Sequence, residues 1–317
     1  YKRQVEGNSS VSISGKEGIT FTGDIMGGSF WNWGNGTTLT TNGNTSVSID
    51  GGSTFTGKIV GGSWRGSTWT AEDPTALPVS IGGNITVTLG QGTYLGDIYG
   101  AGNCGTVGGE VHVSLTGGSI FGEEGEENGI TIGGSAGAAV EGNRTLELKG
   151  TFGTGDFQNV TFTRFDEINI AQKGASATIY ALTDSPALTK TGAGTLALGY
   201  AGNTLAHLTV EEGTLAFTGG ATIGVNPNNA TIVRVSEGAS LALSGGTVNL
   251  HAQLNGAGTV TIGTADTAGL VNISNTGNTN FTGRLELVGN GVNMSTNANW
   301  VAFGAGNTLG AVSYTHL

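Results

Sequence analysis

The sequence predicts an all-β fold, a right-handed parallel β-helix in which short strands wind into stacked coils. Glycine supplies 60 of the 317 residues and proline only 4, so the chain is rich in turn positions and poor in strand breakers. Apolar and polar residues alternate over many short runs, as in strands with one buried face. One glycine-punctuated segment recurs several times, which is typical of repeat proteins.

Four copies of this segment occupy the first part of the chain. Each copy begins with an alternating strand, passes a glycine turn and continues into a second short strand centred on an aromatic residue. The first strands are aligned at Val11, Val47, Val87 and Val113, the aromatic residues are Phe21, Phe55, Tyr94 and Phe121, and a third apolar position follows at Ile25, Ile59 and Ile98. We therefore expect three strands in each coil.

The aligned valines lie 36, 40 and 26 residues apart. A coil of about 20–26 residues would explain the shortest spacing, and the longer units would then be a coil plus an insertion at one corner. A single coil cannot bury its own inward row of Val, Ile and Phe, whereas stacked coils bury it and pair the backbone groups of neighbouring strands.

From about residue 172 a different repeat replaces the first one. Its clearest copy is "LTKTGAGTLALGYAGNTLAHLTVEEGTLAF", residues 188–217. We expect residues 5–171 and 172–311 to be two parts of one continuous solenoid. Residues 1–4 and 313–317 differ in composition from their neighbours, and we expect them to be non-native ends of an interior fragment of a longer protein.

Composition excludes several classes of function. The net charge of −11 and the isoelectric point near 4.7 argue against a nucleic-acid partner, which requires clustered Lys and Arg. The single cysteine, Cys104, rules out an internal disulfide, and no apolar run is long enough for a transmembrane helix. We find no phosphate-binding loop, no nucleophile triad and no His at metal-ligand spacing, so we expect no cofactor.

Two insertions carry most of the tryptophans and are the best candidates for a binding surface. They are "SFWNWGNGTT" and "SWRGSTWTAEDPTALP", and we expect them to leave adjacent coils at one edge. The candidate residues are Trp31, Trp33, Trp64 and Trp69. Exposed aromatic groups among polar residues often mark interaction sites. The alternative is that these rings stack on one another and only cover the coil edge.

Asp24, Lys58 and Asp97 follow the second-strand glycine in consecutive units. On stacked coils they would form a ladder of alternating charge, which avoids repulsion between like charges. The alternative is a site that cleaves polysaccharides, with the two carboxylates about 10 Å apart and the lysine between them. No His or Arg cluster accompanies them, so we expect a structural role and no enzyme activity.

One acidic loop, "GEEGEENG", contains Glu123, Glu124, Glu126 and Glu127. A Ca²⁺ site needs six to eight oxygen ligands at fixed offsets, and this spacing fits no such motif. These glutamates are weak metal candidates, and we expect a solvated loop instead.

Residues 188–217 resemble the autotransporter-associated β-strand repeat of secreted proteins from Gram-negative bacteria. The first part of that pattern, Leu-x-Lys-x-Gly-x-Gly-x-Leu-x-Leu, is followed by an Asn and a closing strand that ends in Gly-x-Leu. The matching residues are Leu188, Lys190, Gly192, Gly194, Leu196, Leu198, Asn203, Val210, Gly213 and Leu215. The aromatic-x-Gly step of the pattern is missing here and returns as Phe281-Thr282-Gly283.

The resemblance implies a parallel β-helix passenger region, exported through an outer-membrane barrel that lies beyond this fragment and displayed at the cell surface. Passengers include adhesins, enzymes and plain stalks, so the family does not define an activity. We expect a rigid stalk with adhesin-like binding of a carbohydrate or a host-surface protein by the edge loops. A β-helix polysaccharide lyase or glycoside hydrolase is the alternative.

Overall fold

The computed structural model describes residues 3–31, 39–65, 79–123, 129–153, 155–157, 159–173, 176–179, 181–184, 186–199, 202–224, 231–263, 270–273, 280–288, 293–296 and 308–309. Throughout these ranges the regular structure is strand and the strand pairs are parallel. The chain is therefore an all-β parallel β-helix, as its sequence predicts. It forms two compact units, one made of Tyr1–Lys149 with Gln158–Glu167 and one made of Gly150–Phe157 with Ile168–Leu317.

The first unit contains twenty-one described strands of two to seven residues. They are β1 (Arg3–Val5), β2 (Ser9–Ser14), β3 (Thr20–Phe21), β4 (Ile25–Met26), β5 (Phe30–Trp31), β6 (Leu39–Thr41), β7 (Thr45–Asp50), β8 (Thr54–Phe55), β9 (Ile59–Val60), β10 (Trp64–Arg65), β11 (Val79–Ile81), β12 (Ile85–Leu89), β13 (Thr93–Tyr94), β14 (Ile98–Ala101), β15 (Thr106–Val107), β16 (Val111–Thr116), β17 (Ile120–Phe121), β18 (Thr131–Ser135), β19 (Ala139–Val140), β20 (Arg144–Gly150) and β21 (Thr161–Thr163).

Corresponding strands of successive coils pair to form the sheets of the first unit. We name them the long-strand sheet (β2-β7-β12-β16-β20), the aromatic sheet (β3-β8-β13-β17), the ladder sheet (β4-β9-β14-β18-β21) and the leading sheet (β1-β6-β11-β15-β19), and β5 pairs with β10 alone. The register aligns Val11, Val47, Val87 and Val113, which confirms the predicted alignment. The expectation of three strands per coil was wrong for this unit, because the leading sheet adds a strand before each long strand.

Stacked side chains fill the interior of the first unit. Val47, Val87 and Val113 are at most 1% exposed. The rings of Phe21, Phe55, Tyr94 and Phe121 stack in that order, with centroid separations of 4.9, 5.4 and 5.2 Å and interplanar angles of 3°, 12° and 14°. Each ring lies one coil beyond the last, so the aromatic position of the repeat forms a continuous column in the core.

Glycines at the end of the ladder sheet let the long-strand sheet approach closely. A Cβ added at Gly61 would lie 2.5 Å from Cγ2 of Ile85 and 2.6 Å from Cγ2 of Val87, which is closer than real Cβ atoms come to other groups. The hydroxyl of Thr45 donates a hydrogen bond to the Gly61 carbonyl at 2.9 Å. The glycines of the repeat therefore serve packing between sheets as well as turning.

Asparagine side chains tie successive coils of the first unit together. The amide oxygens of Asn8, Asn44 and Asn84 accept the backbone N–H groups of Asn44, Asn84 and Glu110 at 2.9, 2.8 and 2.9 Å. Each asparagine thus accepts a hydrogen bond from a backbone N–H of the following coil. Without the asparagine, this N–H would have only solvent as a partner.

The second unit contains the remaining described strands. They are β22 (Glu167–Gln172), β23 (Ser176–Ile179), β24 (Ala181–Leu182), β25 (Ala187–Thr191), β26 (Thr195–Leu198), β27 (Asn203–Leu205), β28 (His207–Val210), β29 (Thr214–Phe217), β30 (Ala221–Ile223), β31 (Ile232–Val235), β32 (Ser240–Leu243), β33 (Thr247–Leu250), β34 (Gln253–Asn255), β35 (Thr259–Ile262), β36 (Leu270–Ile273), β37 (Arg284–Leu287), β38 (Asn293–Thr296) and β39 (Thr308–Leu309).

The coils of the second unit that begin at β22, β25, β28, β31 and β34 have three described strands each. The three sheets are β22-β25-β28-β31-β34, β23-β26-β29-β32-β35-β37-β39 and β27-β30-β33-β36-β38. The register aligns Leu188, Leu208, Val233 and Leu254, which are 20, 25 and 21 residues apart, in agreement with the predicted coil length. Leu196, Leu215 and Leu241 form a buried row on the second of these sheets.

Lys190 has a fully buried side chain in the second unit. Its Nζ donates hydrogen bonds to the carbonyl oxygens of Thr191 at 2.9 Å, Gly192 at 2.6 Å and Glu212 at 3.1 Å. Gly192 has a φ of +78°, a conformation that favours glycine. The lysine of the repeat pattern therefore joins the corner of its own coil to the corner of the next coil.

Candidate functional site

The two tryptophan-bearing insertions leave and rejoin adjacent coils at equivalent points. Before them, β5 pairs with β10 so that Phe30 lies opposite Trp64 and Trp31 opposite Arg65. After them, β6 pairs with β11, with Leu39 opposite Val79. The prediction that both insertions emerge at one edge is confirmed for the strands that flank them.

The structure describes the four predicted tryptophans unequally. Trp64 is half-buried in β10. Trp31 ends β5, but its side chain lies outside the described part of the chain. Trp33 and Trp69 belong to the insertions and lie outside the described residues altogether, so the prediction for these three side chains stays a prediction.

Trp64 stacks on Tyr99 of the following coil. Their ring centroids are 5.7 Å apart and the planes are inclined by 28°. The Tyr99 ring also lies close to Gly133 of the next strand, where a side chain would not fit, because an added Cβ would be 2.9 Å from the Tyr99 Cδ1. Phe30, the neighbour of Trp64 across the strand pair, is 52% exposed. We call Phe30, Trp64 and Tyr99 the aromatic edge.

Asn103 holds the backbone beside the aromatic edge in place. Its Oδ1 accepts the N–H of Arg65 at 2.8 Å, and its Nδ2 donates to the Arg65 carbonyl at 3.0 Å. The amide thus pairs with the main chain of β10 as a neighbouring strand would. This fixes the backbone from which Trp64 projects before the second insertion begins.

The charge ladder borders the aromatic edge. Ile25, Ile59 and Ile98 are in register, so the residues before them, Asp24, Lys58 and Asp97, occupy equivalent positions in three coils. The Lys58 Nζ lies 5.9 Å from the centroid of the Trp64 ring, within the range of a cation–π interaction. The structure therefore joins two groups of residues that the sequence suggested separately.

Both carboxylates of the ladder accept backbone hydrogen bonds from the following coil. Oδ1 of Asp24 accepts the N–H of Lys58 at 2.8 Å, and Oδ1 of Asp97 accepts the N–H of Thr131 at 2.9 Å. The Tyr99 hydroxyl donates to the other oxygen of Asp97 at 3.5 Å. Burial, and then the nearby charge of Asp97, raise the pKa of Tyr99, so this hydroxyl keeps its proton at neutral pH.

Tyr99 and Phe30 are members of the edge that the sequence analysis did not single out. A usable signal for Tyr99 was present, because residues two apart on a strand share a face and Asp97 precedes it by two positions. Phe30 adjoins Trp31 in the first insertion, but only the tryptophans were predicted to be binding residues.

The ion pairs found among the described residues of the first unit lie on different elements. On the long-strand sheet, Glu147 binds His112 at 3.0 Å and Lys149 at 2.7 Å. Arg144 and Asp166 form a bidentate pair at 2.9 and 2.6 Å, and the hydrogen bond from Arg144 lowers the pKa of Asp166. These pairs are exposed or half-buried, and such pairs stabilise folded proteins only weakly.

The acidic loop is described only at its start. Glu123 is exposed, whereas Glu124, Glu126 and Glu127 lie outside the described residues. Within the described ranges, no three His, Cys, Asp or Glu side chains are grouped so that they could hold a metal ion. The same ranges contain no helix that is long and apolar enough to cross a membrane.

Comparison with known proteins identified no relative of this chain. No protein-family model, no curated protein and no solved structure matches the chain.

Proposed function

We propose that the chain is a passenger-type segment of an exported bacterial surface protein, which acts as a rigid stalk and binds carbohydrate through the aromatic edge. The observation that carries the binding role is the stacked pair of Trp64 and Tyr99, half-buried beside a Phe30 side chain that is 52% exposed. An aromatic surface of this kind on a polar protein favours contact with a ligand.

The groups around the edge suit a sugar better than a purely apolar partner. A pyranose ring presents apolar C–H groups on its faces and hydroxyls at its rim. The rings of Trp64 and Phe30 can pack against such a face, while Lys58 offers donors and Asp97 offers acceptors to the hydroxyls. A host-surface protein is the other partner that this surface could bind.

The stalk role is supported by the links between coils. Parallel sheets, the Asn8–Asn44–Asn84 ladder and the aromatic column all repeat from coil to coil. Surface display is supported by the resemblance of residues 188–217 to the autotransporter-associated repeat. Antibody labelling of intact cells that carry the parent gene tests it, and labelling only after cell lysis would contradict it.

The hydrogen bonds from backbone N–H groups to Asp24 and Asp97 support a structural role for the charge ladder, and we propose no enzymatic activity. The polysaccharide lyase or hydrolase remains the alternative prediction, with Asp24, Lys58 and Asp97 as its site. Release of reducing ends from acidic or neutral polysaccharides, lost in an Asp97→Asn variant, would favour that alternative.

A glycan array screened with the full chain tests the binding proposal. We expect one class of glycan to bind, and the Trp64→Ala and Tyr99→Ala variants to lose at least tenfold in affinity. Ile120→Ala is the matched control, because Ile120 is 44% exposed on the aromatic sheet, apart from the edge. Circular dichroism checks that each variant is folded.

The proposal fails if no glycan binds, or if folded Trp64→Ala and Tyr99→Ala variants bind as the unaltered chain does. Binding to a host-surface protein that is lost in the same two variants would keep the site and replace the carbohydrate as its partner.

A further inference from the structure

A pocket of about 350 Å³ opens on the second unit and belongs to none of the sites described above. It is lined by Ile232, Arg234, Asn255, Gly256 and Asn280. Arg234 of β31 and Asn255 of β34 are opposite each other in the strand pair. Because paired residues of adjacent strands face the same side of the sheet, these two side chains lie next to each other at the pocket.

Arg234 is the cationic group of this pocket. It is exposed, and the ion pairs found among the described residues involve other side chains. A guanidinium offers five N–H donors in a planar fork that matches the two oxygens of a carboxylate. The pocket therefore presents a charged donor set that is available to an anionic group.

Asn255 provides a second polar group, whose amide oxygen lacks a hydrogen-bond donor among the described residues. Its Oδ1 is shielded from solvent and accepts no hydrogen bond within the described part of the chain. A buried acceptor without a donor is unfavourable, so rotation of this side chain toward a hydroxyl in the pocket would be favoured. The amide of Asn280, at the exposed side of the pocket, offers a further donor and acceptor.

Ile232 gives the pocket an apolar wall, with 39% of its surface exposed. A ligand that matches all of these groups carries a carboxylate, at least one hydroxyl and an apolar C–H face. A hexuronic acid combines the three on one ring. The pocket volume lies within the usual range for small-ligand sites.

The charge of the whole chain limits the ligand further. At a net charge of −11 the protein repels a long polyanion, so a single acidic residue fits better than a run of them. We propose that this pocket binds one carboxylated sugar, with Arg234 holding the carboxylate, Asn255 and Asn280 the hydroxyls, and Ile232 the apolar face.

Isothermal titration calorimetry and saturation-transfer NMR on the full chain test this site. The probe is D-glucuronate, with D-glucose as the neutral match and acetate as the match without hydroxyls. We expect D-glucuronate to bind at least tenfold more tightly than either, and its ring C–H protons to receive saturation from the protein.

Variants assign the binding to the pocket. Arg234→Gln and Asn255→Ala should each weaken D-glucuronate binding, Arg234→Gln by at least tenfold. Arg284→Gln is the matched control, because Arg284 is an exposed arginine of the same unit that pairs with Glu286 at 3.0 Å. The loss of affinity caused by Arg234→Gln should be the same in a Trp64→Ala background, which separates this site from the aromatic edge.

Several outcomes would overturn the proposal. These are no binding of D-glucuronate, equal binding of acetate or D-glucose, or an unchanged affinity in folded Arg234→Gln. Methyl glucuronide distinguishes the source of the ligand within the proposal. Equal binding of the glycoside indicates the end of a glycan chain, and its exclusion indicates the free acid.

Discussion

A buried lysine shows how one side chain links two coils. Nζ of Lys190 reaches carbonyl oxygens in its own corner and in the corner of the next coil. Burial lowers the pKa of Lys190 to about 8, and the charge of Glu212 opposes this shift. An ammonium group has three protons for these three acceptors, so the hydrogen bonds also act against the effect of burial.

The stability of the chain should therefore depend on pH through Lys190. The native pKa of about 8 lies below the ordinary value of 10.5, so between these pH values the unfolded state binds more protons than the native state. The free energy of unfolding then rises with pH across this window. The gain is about 3 kcal/mol at most, fully present above pH 10.5 and lost as pH falls through 8.

Chemical denaturation of the full chain and of Lys190→Met, repeated from pH 7 to pH 10.5, measures this effect. The unfolding free energy of the full chain minus that of Lys190→Met should rise with pH, since methionine does not titrate. A constant difference would mean that the three carbonyls hold Lys190 charged throughout.

Two sheets of the first unit pack closely against each other where the contact position is a glycine, which has no side chain. Gly61 brings the ladder sheet against Ile85 and Val87 of the long-strand sheet. Such contacts explain why the repeat keeps a glycine pair after its third apolar residue. Gly61 is not among the described residues with positive φ, so the absence of a side chain, and not an unusual backbone conformation, is what this position requires.

Gly61→Ala should destabilise the first unit by about 1–3 kcal/mol, because the added methyl group overfills a packed contact between two sheets. Gly23→Ala is the control, since nothing lies within 4 Å of a Cβ at that exposed position, and its effect should stay within about 0.5 kcal/mol. Equilibrium unfolding in urea measures both. Equal effects of the two substitutions would show that the sheets can separate to accept a side chain at Gly61.

The elements show where sequence patterns are informative. The alternating strands and their aromatic partners were predicted in the register that the structure has, because each coil repeats the same apolar positions. The leading sheet was missed. Its strands have two or three residues, too few for a period of two to stand out from the surrounding glycines and asparagines.

For the molecule as a whole, acidity is the dominant property. The chain carries 23 acidic and 12 basic side chains, and at neutral pH the resulting charge keeps molecules apart. The edge strands of parallel sheets also carry unpaired backbone N–H and C=O groups, which can pair with another chain. Repulsion between molecules is therefore the factor that we expect to limit association.

Light scattering of the purified chain should pass through a maximum near its isoelectric point of 4.7, where the net charge approaches zero and association is favoured. Scattering should fall again on either side of this pH. A flat profile between pH 4 and pH 7 would show that charge does not control association.

The fold class could be read from the amino-acid order, because a repeated alternation of apolar residues and glycines allows few arrangements other than stacked coils. The functional contacts could not. Trp64 and Tyr99 are 35 positions apart, and Lys58 reaches the Trp64 ring from the position before β9. Arg234 and Asn255 are only 21 positions apart and meet in another pair of coils. Insertions make successive coils unequal, so spacing along the chain does not reveal which side chains become neighbours until the coils are stacked.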